Sequence, residues 1–253
     1  MQSVTTTIGY LPVRREPSDR SEMVSQFLFG ETAEVLETTD KWAHIRNLFD
    51  GYTGWTELHS LRPAEVPAGE NTQIVRAPST TVISKRTGRP LYLPAGAVVP
   101  EPANNSFQIA GEEFVLLHAD DLWLPGEVLP LEDTGNRLCS IPYLWGGRCG
   151  FGFDCSGLTQ LICRLRGLAI PRDSGLQSLL GTTINFAHEA LPGDLLFFDN
   201  EEGVIVHTGV VLFPGIILHA SGSVRTDRFD HQGIFHSDRK EYSHKLRVIR
   251  RLG

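Results

Sequence analysis

The sequence predicts an α+β protein: one or two small β-barrels, followed by a larger α+β domain. Three observations lead there. Short strands broken by turn residues fill the first part of the chain, a single helix-period segment begins at Cys155, and two of the β segments after it carry a histidine inside an apolar run. A chain of 253 residues, 41% hydrophobic and 21% charged, has room for two or three domains. Its net charge of -7 disfavours nucleic acid and anionic polymers as partners.

From about Ile8 to Leu61 the pattern is that of short strands. Thr32 to Thr38 is one candidate, and Lys41 to Asn47 sets Trp42 and His44 against Ala43 and Ile45. Asp50-Gly51 is a turn signal, and Tyr52-Thr53-Gly54-Trp55 opens the next strand. Strands of this length with no helical period predict a small barrel. Pro63 to Gly69 has the composition of a linker. Beyond it the chain echoes itself: Val75-Arg76-Ala77-Pro78-Ser79 is similar to Val13 through Ser18, and Leu93 through Val99 to Leu28 through Val35. A second, diverged barrel fits this echo, and so does one larger irregular β-domain. The expected boundaries are 1–65, 66–128 and 129–253.

The last domain has a different texture. Leu158, Leu161, Ile162, Leu165 and Leu168 repeat at helical spacing over Cys155 to Leu168. Three β segments follow, Asp194 to Asp199, Val204 to Leu212 and Ile216 to Ala220, the last two joined by a turn at Phe213-Pro214-Gly215. One helix feeding an antiparallel sheet is the expected plan. The start lacks a basic segment followed by an apolar run, and no apolar stretch is long enough to span a bilayer. With Met1 as the natural start, the expected location is the cytoplasm, with no membrane partner. Cys139, Cys149, Cys155 and Cys163 lack paired metal-ligand spacing and are expected to be free thiols.

Cys155 begins the predicted helix, where the dipole and unpaired amides favour thiolate over thiol. The same position suits a small buried core residue. Facing strands would place His207 and His219 nearly opposite each other, close enough for one imidazole to bond the other. Two polar rings in apolar strands need partners, which makes them a base and its orienter, a structural pair, or half of a zinc site with Cys155. Cysteine, base and orienter together are the groups of nucleophilic acyl transfer, which needs no metal or cofactor.

Tyr143-Leu144-Trp145-Gly146-Gly147, Asp154-Cys155-Ser156-Gly157, Pro192-Gly193-Asp194-Leu195, His207-Thr208-Gly209-Val210 and His219-Ala220-Ser221 together resemble the successive signatures of the NlpC/P60 cysteine peptidases, over roughly the last 120 residues. The resemblance implies a papain-like catalytic domain with Cys155 as nucleophile, His207 as base and His219 as orienter, preceded by bacterial SH3-like barrels. Three further segments resemble the branch that acts on free murein peptides. The stretch from Ser21 to Glu31 would offer Glu22 to a substrate amine, Asp50 to Trp55 would offer Tyr52, and Pro171-Arg172-Asp173-Ser174 with Gln177 would contact the D-Glu portion. The resemblance adds Asp154 and Ser156 as substrate contacts. A hydroxyl at Tyr143 could stabilise the oxyanion with the Cys155 amide, and the glycines around it would let backbone approach the reacting carbonyl. The implied substrates are tri- to pentapeptides of the form L-Ala-γ-D-Glu-L-diamino acid. A secreted peptidoglycan hydrolase with wall-binding barrels is the alternative.

Overall fold

The computed structural model describes residues 2–64, 72–237 and 239–253. The linker expected over Pro63 to Gly69 lies outside these from position 65 onward, as does the first expected boundary. The architecture is α+β. Among the described residues, no helix is long and apolar enough to cross a membrane.

Near the N-terminus, antiparallel strands form one sheet in the order Met23–Leu28, Tyr10–Arg14, Thr53–Glu57, Trp42–Asn47, Ala33–Thr38, Ser3–Thr5, Arg62–Pro63. The period of two sorts the side chains. Leu11, Val13, Ala43 and Ile45 turn inward onto Val4, Phe27, Ala33 and Leu61, while His44 stacks on Trp55 outside, with ring centroids 4.9 Å apart. Residues 72–123 form a four-stranded and a three-stranded sheet around Val75, Val82, Leu93, Val99, Phe107 and Phe114. Phe29 also enters this second core, edge-on to Phe114 at 5.4 Å, so the two β units share a buried residue.

In the last domain the expected antiparallel sheet is present, and it closes on itself. Strands Leu195–Asp199, Ile205–Phe213, Ile216–Ser221, Ser223–Phe229 and Gly233–His236 pair in sequence order. The long strand Glu241–Arg251 then pairs with both the first and the last of them. Leu196, Phe198, Val211, Ile217, Phe229, Ile234 and Ile249 fill the resulting barrel. The outward residues Leu195, Phe197, Val210, Leu212 and Leu218 pack with the helix Cys155–Leu165. That helix stops three residues earlier than its apolar period suggests, just before Gly167 at φ 79°.

A buried ionic group clamps the first β unit to the helix Cys155–Leu165. Glu31 accepts from Arg148 Nη1 at 2.8 Å and also pairs with Arg164, and all three side chains are at most 12% exposed. Arg148 further donates its backbone amide to Gln26 Oε1 at 2.8 Å, and Gln160 of the helix donates to Asp50 at 2.9 Å. The ring of Phe49 covers Arg164 at 3.9 Å. Removing the shared anion leaves two buried cations uncompensated. Glu31→Ala is therefore expected to cost about 3–5 kcal/mol in urea unfolding. Arg15→Ala, which breaks an exposed, solvent-screened pair with Glu22, should leave the unfolding midpoint nearly unchanged. Equal small losses would show that the clamp carries no weight.

Candidate active site

Asp154 caps the helix, accepting from the Gly157 amide at 2.7 Å, and this sets Cys155 as the first helical residue. The Cys155 side chain meets the backbone amides of Thr208 and Ser156. Its thiol is nevertheless pushed up to about 11, because burial and the neighbouring Asp154 carboxylate outweigh the two amides and Arg172. Burial and Asp154 thus oppose the pull of the helix start toward thiolate. The other three cysteines are also free, with Cys149 and Cys163 pushed up to about 12 by burial.

His207 and His219 come together with Nε2 and Nδ1 at 2.9 Å. They are not directly opposite, since Gly209 is the residue that faces His219 in the register. His207 reaches diagonally past this glycine. A Cβ on Gly209 would stand 2.8 Å from the Cβ of His219, so alanine there would push the second ring away. Burial drives His207 well below its ordinary pKa, helped by His244 and His219, so the resting ring is neutral.

In front of Cys155 lies a cleft of about 550 Å³, whose walls include Glu22, Tyr52, Tyr143, Asp154, Cys155, Ser156, Asp173 and Ser174. All eight cleft residues expected from the sequence therefore stand around one space. His207 and His219, at 5% and 1% exposure, are not among its lining residues; Thr208, whose amide meets Cys155, follows His207 in the chain. Glu22 accepts from Trp145 Nε1 at 2.7 Å and from Arg15 at 2.9 Å, and these bonds hold its carboxyl below the ordinary value. Burial raises Asp173, and burial together with the Asp173 charge raises the half-buried Tyr52. Burial also pushes the Tyr143 phenol up to about 12, which keeps it a hydroxyl donor. Gln177 stays out of the cleft and holds the carbonyls of Ser156 and Pro171. The glycines near Tyr143 also permit close packing: a Cβ on Gly146, which lines the cleft, would meet the Met23 carbonyl, and one on Gly150 the Pro78 carbonyl. A larger groove of about 820 Å³, at Thr183–His188 and Leu246–Ile249, contains no nucleophile.

Four participants take roles that were not foreseen. Arg172, expected only as part of the loop that contacts the D-Glu portion, is buried and spans Asp154 (Nη1 to Oδ1 3.0 Å) and Ser156 Oγ (2.8 Å). With Gly146, Gly157, Ser156 and Arg172 all donating to Asp154, its oxygens are already engaged within the protein. His244 stacks on His207, centroids 4.1 Å apart, and burial lowers it to about 4. Asp227 lies 3.0 Å from His219 Nε2, and Arg225 forks onto its carboxylate. Among the described residues, no cluster of three His, Cys, Asp or Glu side chains is arranged to hold a metal ion.

A model of the NlpC/P60 family matches residues 140–241, and a model described as the bacterial dipeptidyl-peptidase Sh3 domain matches residues 13–61. The chain is 32% identical over 213 residues to a gamma-D-glutamyl-L-lysine dipeptidyl-peptidase of Bacillus subtilis (strain 168), covering 78% of this chain and 71% of that one. A protein of the same name from Bacillus cereus is 40% identical over 98 residues, 38% of this chain and 29% of that one. Among solved structures, an NlpC/P60 family protein from Bacillus cereus aligns with a TM-score of 0.82 at 20% identity, over 98% of this chain and 99% of the other; that likeness is one of fold.

Proposed function

We propose that this chain, which belongs to the NlpC/P60 family of cysteine peptidases, hydrolyses the γ-D-Glu–L-diamino acid bond of short, free murein peptides that begin with L-alanine. Cys155 attacks the γ-carbonyl while His207 takes its proton, and His219 orients His207. The Cys155 amide and the Tyr143 hydroxyl receive the oxyanion. As the adduct collapses the γ-D-Glu–diamino acid C–N bond breaks, His207 gives its proton to the departing α-amine, and the thioester is then resolved by water, which His207 activates in turn, releasing the γ-carboxylate and the Cys155 thiol.

One observation carries the substrate assignment: the first β unit forms a wall of the cleft, and the buried Glu31 clamp fixes it there. Its Glu22 and Tyr52 face Asp173 and Ser174 across the cleft, a setting for a free α-ammonium group. Asp154 adds negative potential although its oxygens are engaged. Trp145, bonded to Glu22, stands at the rim of this subsite, where a blocked or extended N-terminus would meet it. We therefore assign the enzyme to recycling of released wall peptides rather than to cutting of the intact wall.

Acetylating the substrate amine removes its charge and adds bulk. A charge-assisted hydrogen bond is worth roughly 1.5–3 kcal/mol, so kcat/KM for N-acetyl-L-Ala-γ-D-Glu-L-Lys should be about ten- to a hundredfold below that for the free peptide. Glu22→Gln should slow cleavage of the free peptide far more than that of the acetylated one. A wall hydrolase would cut blocked peptides and intact sacculi as readily as free ones, and that result would overturn the assignment.

A further inference from the structure

We propose that Asp227 is a positioning residue: through His219 it fixes the order of protons so that His207 meets Cys155 with an unprotonated ring nitrogen. This rests on His207 being the base. Asp227 sits on the strand Ser223–Phe229, paired with Ile217, so it is a diagonal neighbour of His219 inside the barrel. It is 6% exposed. Its Oδ2 lies 3.0 Å from His219 Nε2, while Arg225 donates Nη2 to Oδ1 at 2.9 Å and sets Nε 2.7 Å from Oδ2.

A carboxylate can only accept, so the proton of His219 sits on Nε2. Burial pushes the Asp227 carboxyl up, but the hydrogen bonds from His219 and Arg225 outweigh it and keep the group ionised. With one proton per ring, His219 Nδ1 is then an acceptor. Its partner at 2.9 Å, His207 Nε2, must be the donor. That leaves the Nδ1 lone pair of His207 free to take the thiol proton. The charge at Asp227 thus selects both tautomers, two rings away from the nucleophile. His244 stacks on the face of His207 and, like Phe198 at 5.8 Å, is not in this chain of hydrogen bonds.

Asp227→Asn reverses the order. The single hydrogen bond from Arg225 Nη2 keeps the amide oxygen at the Oδ1 place, so the amide NH2 turns to His219 Nε2, and each ring must carry its proton on Nδ1. Turnover of L-Ala-γ-D-Glu-L-Lys is expected to fall on the order of 10²- to 10⁴-fold in kcat, with KM within about threefold. In a His219→Ala background the link is already cut, and Asp227→Asn should cost no more than about threefold further. An equal loss in both backgrounds, or none in either, overturns the proposal. Nitrogen-15 NMR of the wild-type imidazoles gives a readout independent of substrate and of the variant's folding: both His207 and His219 should carry their proton on Nε2, and a proton on His207 Nδ1 would refute the relay. If instead His207→Ala kept its turnover, the base assignment would fail while the tautomer pattern could still stand.

Discussion

Cys155→Ala is expected to lower kcat on L-Ala-γ-D-Glu-L-Lys by at least about 10⁴-fold and to leave the fold unchanged. The side chain is small and 8% exposed, so alanine removes a single sulfur from a site whose helix is capped by Asp154, not by the thiol. The chemistry has no substitute nucleophile close by. Ser156, next in the chain, is held by Arg172 and Asp154, and the other three thiols do not line the cleft. What survives is binding and the oxyanion donors, which alone give only a small part of the acceleration. Steady-state turnover together with a thermal melt decides the matter. An alanine variant that folds and keeps its rate would remove Cys155 from the mechanism.

The nucleophile was legible in the sequence because its helix is. Leu158, Leu161, Ile162 and Leu165 repeat at a period only a helix satisfies, and all are buried in the core. The charge state of Cys155 was not legible, because it depends on how deeply the closed sheet buries the thiol and on the Asp154 carboxylate beside it. His207 and His219 stood out as polar rings in apolar strands, yet their register did not. A shift between Val211 and Phe213 puts Gly209, not His207, opposite His219. The partners at longer range carried no local signal. Asp227 and His244 come inward only because Glu241–Arg251 pairs at both ends of the sheet and closes it. Arg148 reads as a surface residue in a glycine-rich loop until the first β unit brings Glu31 to it. Asp154 could be recognised as a cap, but Arg172, 18 residues away, could not be recognised as the cation that occupies it.

The second large effect separates the two histidines. His207→Ala removes the group that takes the thiol proton, and with the thiol at about 11 almost no thiolate forms without help at neutral pH. A loss on the order of 10³- to 10⁴-fold in kcat is expected, at the upper part of what general base catalysis supplies. His219 acts only by holding its neighbour. A glutamine at 219 can accept from His207 Nε2 through its amide oxygen and donate its NH2 to Asp227, so both ends of the relay stay bonded. Alanine there leaves His207 Nε2 and the Asp227 carboxylate without their partner inside a dry barrel, which costs both orientation and packing. His219→Gln is therefore expected to keep activity within about tenfold of wild type, and His219→Ala to lose on the order of 10²-fold. The expected order of kcat is wild type, His219→Gln, His219→Ala, His207→Ala, measured on variants whose unfolding transitions remain cooperative. If His219→Ala matched His207→Ala while His219→Gln failed as badly, His219 would itself be transferring protons, and the division of roles between the two rings would have to be given up.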